Sequence, residues 1–300
     1  MGRDPYLMIE AAIALAVAAI PEGLPIVATM ALARGMLRMA QRNALIERLA
    51  TVETLGATTL ICTDKTGTLT ENRMTVTNIV TAEGSIDFDH AAGAFFVEGA
   101  PVDVGERDLL REALIAAALC NTAELGRGGE SDTGDPLEIA LLRAAKAGGV
   151  TRDEMLTRRA LLKSAPFDAE IKMMATAHAH GGHVEFYVKG APEVVIARAA
   201  AVMTPDGAAP LTDDMRIHWR RQAAELAQGG LRMLAVARKC TASEDEPPFE
   251  GLELLALFAL LDPPREDVRE AIAACHHAGV RIVMITGDHA ATAKTIASQI

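Results

Sequence analysis

Aromatic residues make up only 3% of this 300-residue chain, with a single tryptophan and two tyrosines. Any core must therefore be assembled mainly from Ala, Leu, Ile, Val and Met. A positive charge excess is also absent. The formal net charge is -11, which excludes the positive footprint that nonspecific nucleic-acid binding needs. Cysteine is sparse: Cys62, Cys120, Cys240 and Cys275 lie far apart and form no C-x-x-C pair. That spacing argues against a disulfide or zinc framework and for reduced thiols in a cytosolic compartment. Internal repeats are missing as well; the Ala-rich stretches are helix formers without a period. What is plentiful is apolar surface. Half of the residues are hydrophobic, enough for a packed core and against global disorder, over a length that suggests roughly two domains.

One run is apolar enough to leave water altogether. From Ala11 to Ala33 the only charged residue is Glu22, and about 20 residues suffice to cross a bilayer. Arg34, Arg38, Arg42 and Arg48 follow, a basic flank that marks the cytoplasmic end. A signal peptide fits poorly, because the flank lies on the wrong side and no small-residue cleavage pattern follows. Length and flanks favour a spanning helix over a buried soluble one. Within the run lies Pro21-Glu22-Gly23-Leu24-Pro25. Pro21 cannot donate to the carbonyl of Val17, nor Pro25 to that of Pro21, and Gly23 loosens the backbone between them. Local unwinding is expected, with bare carbonyls beside a carboxylate. In lipid that is tolerable around a polar cavity or ion path. Glu22 is thus a functional candidate, and hard oxygen ligands suit a hard cation. The plainer reading is a structural proline kink around a protonated Glu22.

Two short β-branched, apolar runs carry the other polar motifs. Thr58 to Cys62 reads as a buried strand that ends at Thr63-Asp64 and passes into Lys65-Thr66-Gly67. Gly67 allows a tight turn. An aspartate at a strand's carboxyl end sits where open α/β sheets bind ligands. Its carboxylate can attack a phosphoryl group, with Lys65 and a magnesium ion offsetting the developing charge. Arg281 to Ile285 reads as a second strand, ending in Thr286-Gly287-Asp288. A hydroxyl and backbone amides there could hold the same phosphate. Taken alone, an aspartate after a strand is more often an ordinary turn residue.

Five motifs in one order make the pattern specific. Asp64 to Asn72 reads DKTGTLTEN and resembles the phosphorylation signature of P-type cation-transporting ATPases, within the haloacid-dehalogenase-like superfamily. Val17 to Pro25 resembles the ion-binding fourth membrane helix of the calcium-pump branch. Lys189-Gly190-Ala191-Pro192-Glu193 is similar to that family's KGAPE motif, Asp262-Pro263-Pro264-Arg265 to its DPPR hinge, and Thr286-Gly287-Asp288 to its TGD motif. The resemblance implies Asp64 as nucleophile, with Lys65, Thr66, Thr286, Gly287 and Asp288 around it. It implies magnesium at Asp64 and Thr66, and a transported cation, calcium leading, at Glu22 with the carbonyls of Val17, Ala18 and Ile20. Phosphatases of the superfamily often place a second, acid–base aspartate two residues after the nucleophile. Here Thr66 stands there, which implies a longer-lived acyl phosphate and weighs against a simple phosphatase.

About 190 residues separate the two strand motifs, too many for a loop. They read as a domain of their own. Leu109 to Leu119 and Pro136 to Ala147 have helical character. Met173 to Ala179 and His183 to Lys189 alternate as strands joined at Gly181-Gly182. By resemblance Phe167 stacks on adenine, Glu138, Lys172, Lys189 and Arg232 line the same ATP pocket, and Gly190 and Arg265 belong to the nucleotide-binding set. An aromatic face for the base and cations for a polyphosphate fit that role. The sequence departs from the family at Ile171 and Met173, where basic residues are common, and at Leu137, where threonine is common. His178, His180 and His183 surround a Gly-Gly hairpin with only Glu185 close by, a poor ligand set. Glu244 to Glu246 reads as a solvated acidic loop.

The expected fold class is therefore α/β: an incomplete Rossmann-like phosphorylation domain with an inserted α+β nucleotide-binding domain, preceded by one transmembrane helix. The expected boundaries are 1–47 for the membrane helix and stalk, 48–72 and 262–300 for the two parts of the phosphorylation domain, and 73–261 for the nucleotide domain. The resemblance implies a central fragment of an ATP-driven pump of the plasma membrane, with its large domains cytoplasmic. Membrane lipid, an actuator domain, further membrane helices and later magnesium aspartates would lie outside it. Such a fragment is expected to bind nucleotide, to phosphorylate poorly and not to pump. Two other readings remain: a truncated nucleotide-binding module without transport activity, and a soluble phosphatase of the same superfamily.

Overall fold

The computed structural model describes residues 5–18, 23–126, 128, 130–287 and 290–300. These residues divide into two compact units, one comprising Met1–Ile61 with Cys275–Val283 and the other Cys62–Ala274 with Met284–Ile300.

The first unit begins with α1 (Pro5–Ala18) and α2 (Gly23–Ala40), followed by α3 (Leu49–Gly56). The segment Pro5–Ala40 has the length and composition of a membrane span, and its most apolar window is wholly unburied. That segment contains the apolar run Ala11 to Ala33 read from the sequence. Pro25 lies within α2, and its carbonyl accepts from Thr29 Oγ1 at 2.8 Å. Ile20, Pro21 and Glu22 lie outside the described residues. Strand β1 (Leu60–Asp64) starts two residues later than expected. The reason is local: Thr58 instead closes α3, its hydroxyl donating to Thr54 O at 3.0 Å. Arg281, the first residue of the strand pairing with β1, donates its amide to Thr59 O at 3.0 Å.

The second unit is built on one large sheet. Along the chain come β2 (Thr75–Thr81), β3 (Gly84–Asp89), β4 (Ala94–Val97), β5 (Ala100–Val102), α4 (Asp108–Leu119), α5 (Pro136–Ala147) and α6 (Arg152–Arg158). Then follow β6 (Ala160–Asp168), β7 (Met173–His180), β8 (His183–Gly190), α7 (Pro192–Arg198), β9 (Ala199–Thr204), β10 (Gly207–Pro210) and α8 (Asp213–Gln228). The chain closes with β11 (Arg232–Thr241), β12 (Leu252–Leu261), α9 (Val268–His277), β13 (Arg281–Ile285) and α10 (Ala290–Gln299). The sheet order is β5-β4-β3-β2-β12-β11-β8-β7-β6, with β9 and β10 attached through β12. β1 and β13 form a separate two-stranded sheet.

β12 explains the layering. It is apolar at every position but Glu253, the pattern of a strand buried on both faces. Leu255, Phe258 and Leu260 join the core that contains α4 and α5. Leu252, Leu254 and Leu257 join the core that contains α7 and α8. With few aromatics available, small residues fill the gaps: Ala113, Ala116, Ala117 and Ala118 of α4 are fully buried. In the acidic loop Glu244 to Glu246, Asp245 and Glu246 are exposed as expected, and each meets a lysine. Lys239 Nζ reaches Glu246 at 3.2 Å and Lys163 reaches Asp245 at 3.4 Å.

Candidate phosphate-transfer and nucleotide site

Asp64 is the last residue of β1 and is exposed. Beyond it the backbone turns sharply, with Thr66 at φ -75°, ψ 124° and Gly67 at φ 75°. A turn with so little regular hydrogen bonding needs other partners, and they come from nearly two hundred residues away. Asp262 is buried and grips the loop with both oxygens. Oδ2 accepts from Thr70 Oγ1, and Oδ1 accepts from the Arg73 amide at 3.0 Å. Thr70 Oγ1 in turn accepts from the Gly67 amide at 3.3 Å. Glu71 N donates to Pro263 O at 3.0 Å, Arg265 N to Leu69 O at 2.9 Å, and Arg265 Nη2 to Gly67 O at 3.2 Å. The two motifs, nearly two hundred residues apart in sequence, are thereby stitched into one polar knot, and Arg265 serves the loop itself.

Behind the loop lies an open hollow of about 430 Å³. Lys65, Thr66 and Asn72 line it from the loop, Asp135 from the start of α5, Arg232 from β11 and Thr292 from α10. The Lys65 side chain is buried and Arg232 is exposed, so two cations border one cleft next to the loop. That composition suits a polyphosphate.

A second polar cluster sits under the start of α5. Asp135 caps this helix, its Oδ1 accepting from Leu137 N at 2.8 Å, and Pro136 occupies the first position. Glu138 therefore falls in the first turn, with its side chain buried. Lys189 Nζ, also buried, donates to Glu138 Oε1. Thr122 donates to Oε2 from its amide at 3.0 Å and from its hydroxyl at 2.6 Å. Asn121 Nδ2 donates to the Glu138 carbonyl at 2.9 Å. Burial alone would raise the Glu138 carboxyl, but the Lys189 charge and these hydrogen bonds hold it below its ordinary value. Burial pushes the neighbouring Cys120 thiol up to about 11, so it behaves as a small apolar group.

The remaining nucleotide-set residues lie at one end of β6–β7–β8. Asp168 pairs with Met173, and Met173 pairs with Gly190. Phe167 is 61% exposed at this end. Lys172, in the left-handed region at φ 52°, points an exposed ammonium at Glu193, 3.2 Å away. Gly190 is required by close approach, since a Cβ would meet the Lys172 carbonyl at 2.5 Å. The structure thus puts Phe167 and Lys172 beside the row Asp168–Met173–Gly190 and joins Lys189 to Glu138. It sets Arg232 in the hollow with Lys65.

Sequence reasoning passed over Asn121, Thr122, Thr70 and Asp135 as site residues. Thr70 carried a signal, being inside DKTGTLTEN, and so did Asp135, which directly precedes the expected helix start at Pro136; Asn121 and Thr122 carried none. Thr286 and Gly287 follow β13, whereas Asp288 lies outside the described residues, as do Ile20 and Glu22. Val17 and Ala18 end α1 and are exposed. His178 is fully buried, its Nδ1 against Arg159 O at 3.1 Å, and burial lowers its pKa. Among the described residues no group of three or more His, Cys, Asp or Glu side chains is arranged to hold a metal ion. For magnesium, the loop offers two exposed residues, Asp64 and Thr66, whose hard oxygen donors fit that ion.

Residues 109–267, just over half of the chain, match the family model for the cytoplasmic domain N of P-type ATPases. The chain is 43% identical to the probable cation-transporting ATPase F of Mycobacterium tuberculosis, over 99% of this chain and 34% of that protein. It is 40% identical to the cation-transporting ATPase pma1 of Synechocystis, over 99% of this chain and 34% of that protein. It is 37% identical to a calcium-transporting ATPase of Bacillus subtilis, over all of this chain and 35% of that protein. The chain thus spans about a third of the length of the curated relatives it matches. On the domain match and these identities, the chain belongs to the P-type cation-transporting ATPase family.

Proposed function

We propose that the protein takes part in ATP-driven cation transport through a phosphoryl group carried on Asp64. The observation that carries this reading is the knot between Asp64-Lys65-Thr66-Gly67 and Asp262-Pro263-Pro264-Arg265 beside a cleft bordered by Lys65 and Arg232. The knot fixes the backbone on which the nucleophile stands while leaving the carboxylate exposed, so little reorganisation is needed when the phosphoryl group arrives. β1 and β13, with Thr286 and Gly287 after the latter, are read as strands of a Rossmann-like phosphorylation domain. Residues 73–261 are read as the nucleotide domain inserted within it.

In this reading ATP lies with its base against Phe167 and its phosphates toward Lys65 and Arg232, with Lys172, Lys189 and Gly190 along the way. Glu138 orients Lys189. Asp64 Oδ forms a bond to the γ-phosphorus while the bond to the β,γ-bridging oxygen breaks, leaving ADP with that electron pair. Magnesium, which Asp64 and Thr66 would hold, would supply charge neutralisation for the transferred group. Thr66, having no acid–base carboxylate, favours a lasting acyl phosphate.

Calcium is the leading cargo. It would be held by Glu22 and the carbonyls of Val17, Ala18 and Ile20, in a span whose large domains face the cytoplasm from the plasma membrane. A calcium-transporting relative in Bacillus subtilis supports this choice. The partners this implies are lipid, an actuator domain and further membrane helices. The test is ATP hydrolysis by the membrane-assembled protein in the presence of single cations. Stimulation by micromolar calcium is expected, and indifference to calcium with response to another cation would reassign the cargo.

A further inference from the structure

The phosphate-site cation Arg232 begins β11 only two residues after Gly230, and that short lead is gripped by another element. α8 ends at Gln228 and is closed by Gly229 and Gly230, whose amides donate to Glu225 O at 3.2 Å and Ala227 O at 2.9 Å. α10 lies directly on this turn. Thr295 Oγ1 donates to the Gly229 carbonyl, and Ile296 is fully buried. The approach is close enough to demand a glycine. A Cβ on Gly230 would meet Thr292 Cα at 2.7 Å and Thr295 Oγ1 at 2.8 Å. Gly230 also has φ 86°, which by itself a helix-terminating glycine or asparagine would satisfy. The contact with α10 is the additional demand. The same turn, Thr292, Ile296 and Arg232 all border the hollow that contains Lys65 and Thr66.

We propose that α10 is a positioning element for nucleotide phosphates, in which Thr292 and Thr295 clasp the Gly229-Gly230 turn and so hold Arg232 at the cleft beside Lys65. Thr295 and Gly230 are positioning residues that touch no nucleotide themselves. This inference rests on the proposed ATP site. It adds that recognition of the terminal phosphates, and not of the base, depends on a contact far from the base. Because α10 follows Thr286 and Gly287 in the chain, the clasp links the phosphate motif after β13 to Arg232.

The test is calorimetric titration of the 300-residue chain with AMP and with the non-hydrolysable methylene analogue of ATP. In the unmodified chain the triphosphate binds more tightly than AMP. Thr295→Arg, too bulky for the turn, is expected to lower triphosphate affinity about tenfold, the scale of one charge-assisted contact, with AMP affinity unchanged. Gly230→Asn tolerates the left-handed backbone but not the approach of α10, and should do the same. Thr295→Val, which keeps shape and loses the donor, should have a smaller effect of the same kind. Unchanged AMP affinity also reports that each variant is folded. An unchanged triphosphate-to-AMP ratio in both Thr295→Arg and Gly230→Asn would overturn the clasp. Failure of either nucleotide to bind the unmodified chain would instead overturn the ATP site on which it rests.

Discussion

The loop at Asp64 and the cluster at Glu138 both place a carboxylate among polar partners, but they invert its exposure. At the loop the proposed nucleophile, Asp64, is open to solvent, and a different carboxylate, Asp262, is buried and holds the backbone. At the start of α5 the candidate-site carboxylate, Glu138, is itself buried and neutralised by Lys189. A reacting group must be reachable, so its order is supplied from behind. A group that only orients another can be enclosed, and its charge must then be matched.

The sharpest way to break this comparison is to replace Asp64. Asp64→Asn should abolish phosphorylation and nucleotide hydrolysis while leaving the melting temperature nearly unchanged, because an exposed side chain contributes little to stability. Activity and thermal scans on the same preparation check it, and a large loss of stability would remove the distinction between the two carboxylates. Next in size is the buried pair. Lys189→Met should destabilise the second unit by about 3–5 kcal/mol by leaving Glu138 charged and unpaired, whereas the double variant Lys189→Met with Glu138→Gln should recover much of that loss. Denaturant titration separates the two; equal losses would mean that the pair is not enclosed as described.

Acid should distinguish the pair in its own way. The folded-state pKa of Glu138 is below its ordinary value. Its contribution to stability is therefore full above the ordinary carboxylate range and is lost as pH falls through the lowered folded value. Glu138→Gln should flatten that part of the stability-versus-pH curve, as measured by chemical denaturation across the acid range. The Asp262→Asn change should be milder, about 1–3 kcal/mol, since one oxygen acceptor remains. It should loosen the loop, read as faster amide exchange at Gly67, Thr70 and Arg73. Smallest of all is Lys163→Ala. Its ion pair with Asp245 is largely exposed, so a change within about 0.5 kcal/mol is expected by denaturant titration.

Much of the site was legible because its signals are local. The Asp135-Pro136 start and apolar spacing of α5, the Gly181-Gly182 hairpin and the apolar run of β13 each predict their own element. Asp64 was legible for the same reason. What was not legible depends on partners distant in sequence. Nothing near Thr70 says that its hydroxyl meets Asp262, and nothing near Asn121 and Thr122 says that they sit beneath Glu138. The strand at Thr58 was misplaced because a β-branched threonine has high strand propensity yet can also close a helix through its hydroxyl.

The central claim is that Asp64 accepts the phosphoryl group. The most direct measurement is to incubate the membrane-assembled protein with γ-labelled ATP, magnesium and the activating cation, quench in acid, and map the label. The expected result is one acid-stable, hydroxylamine-labile phosphate on the peptide containing Asp64, absent from Asp64→Asn. Label that resists hydroxylamine and maps to a serine or threonine, or that persists in Asp64→Asn, would contradict the account.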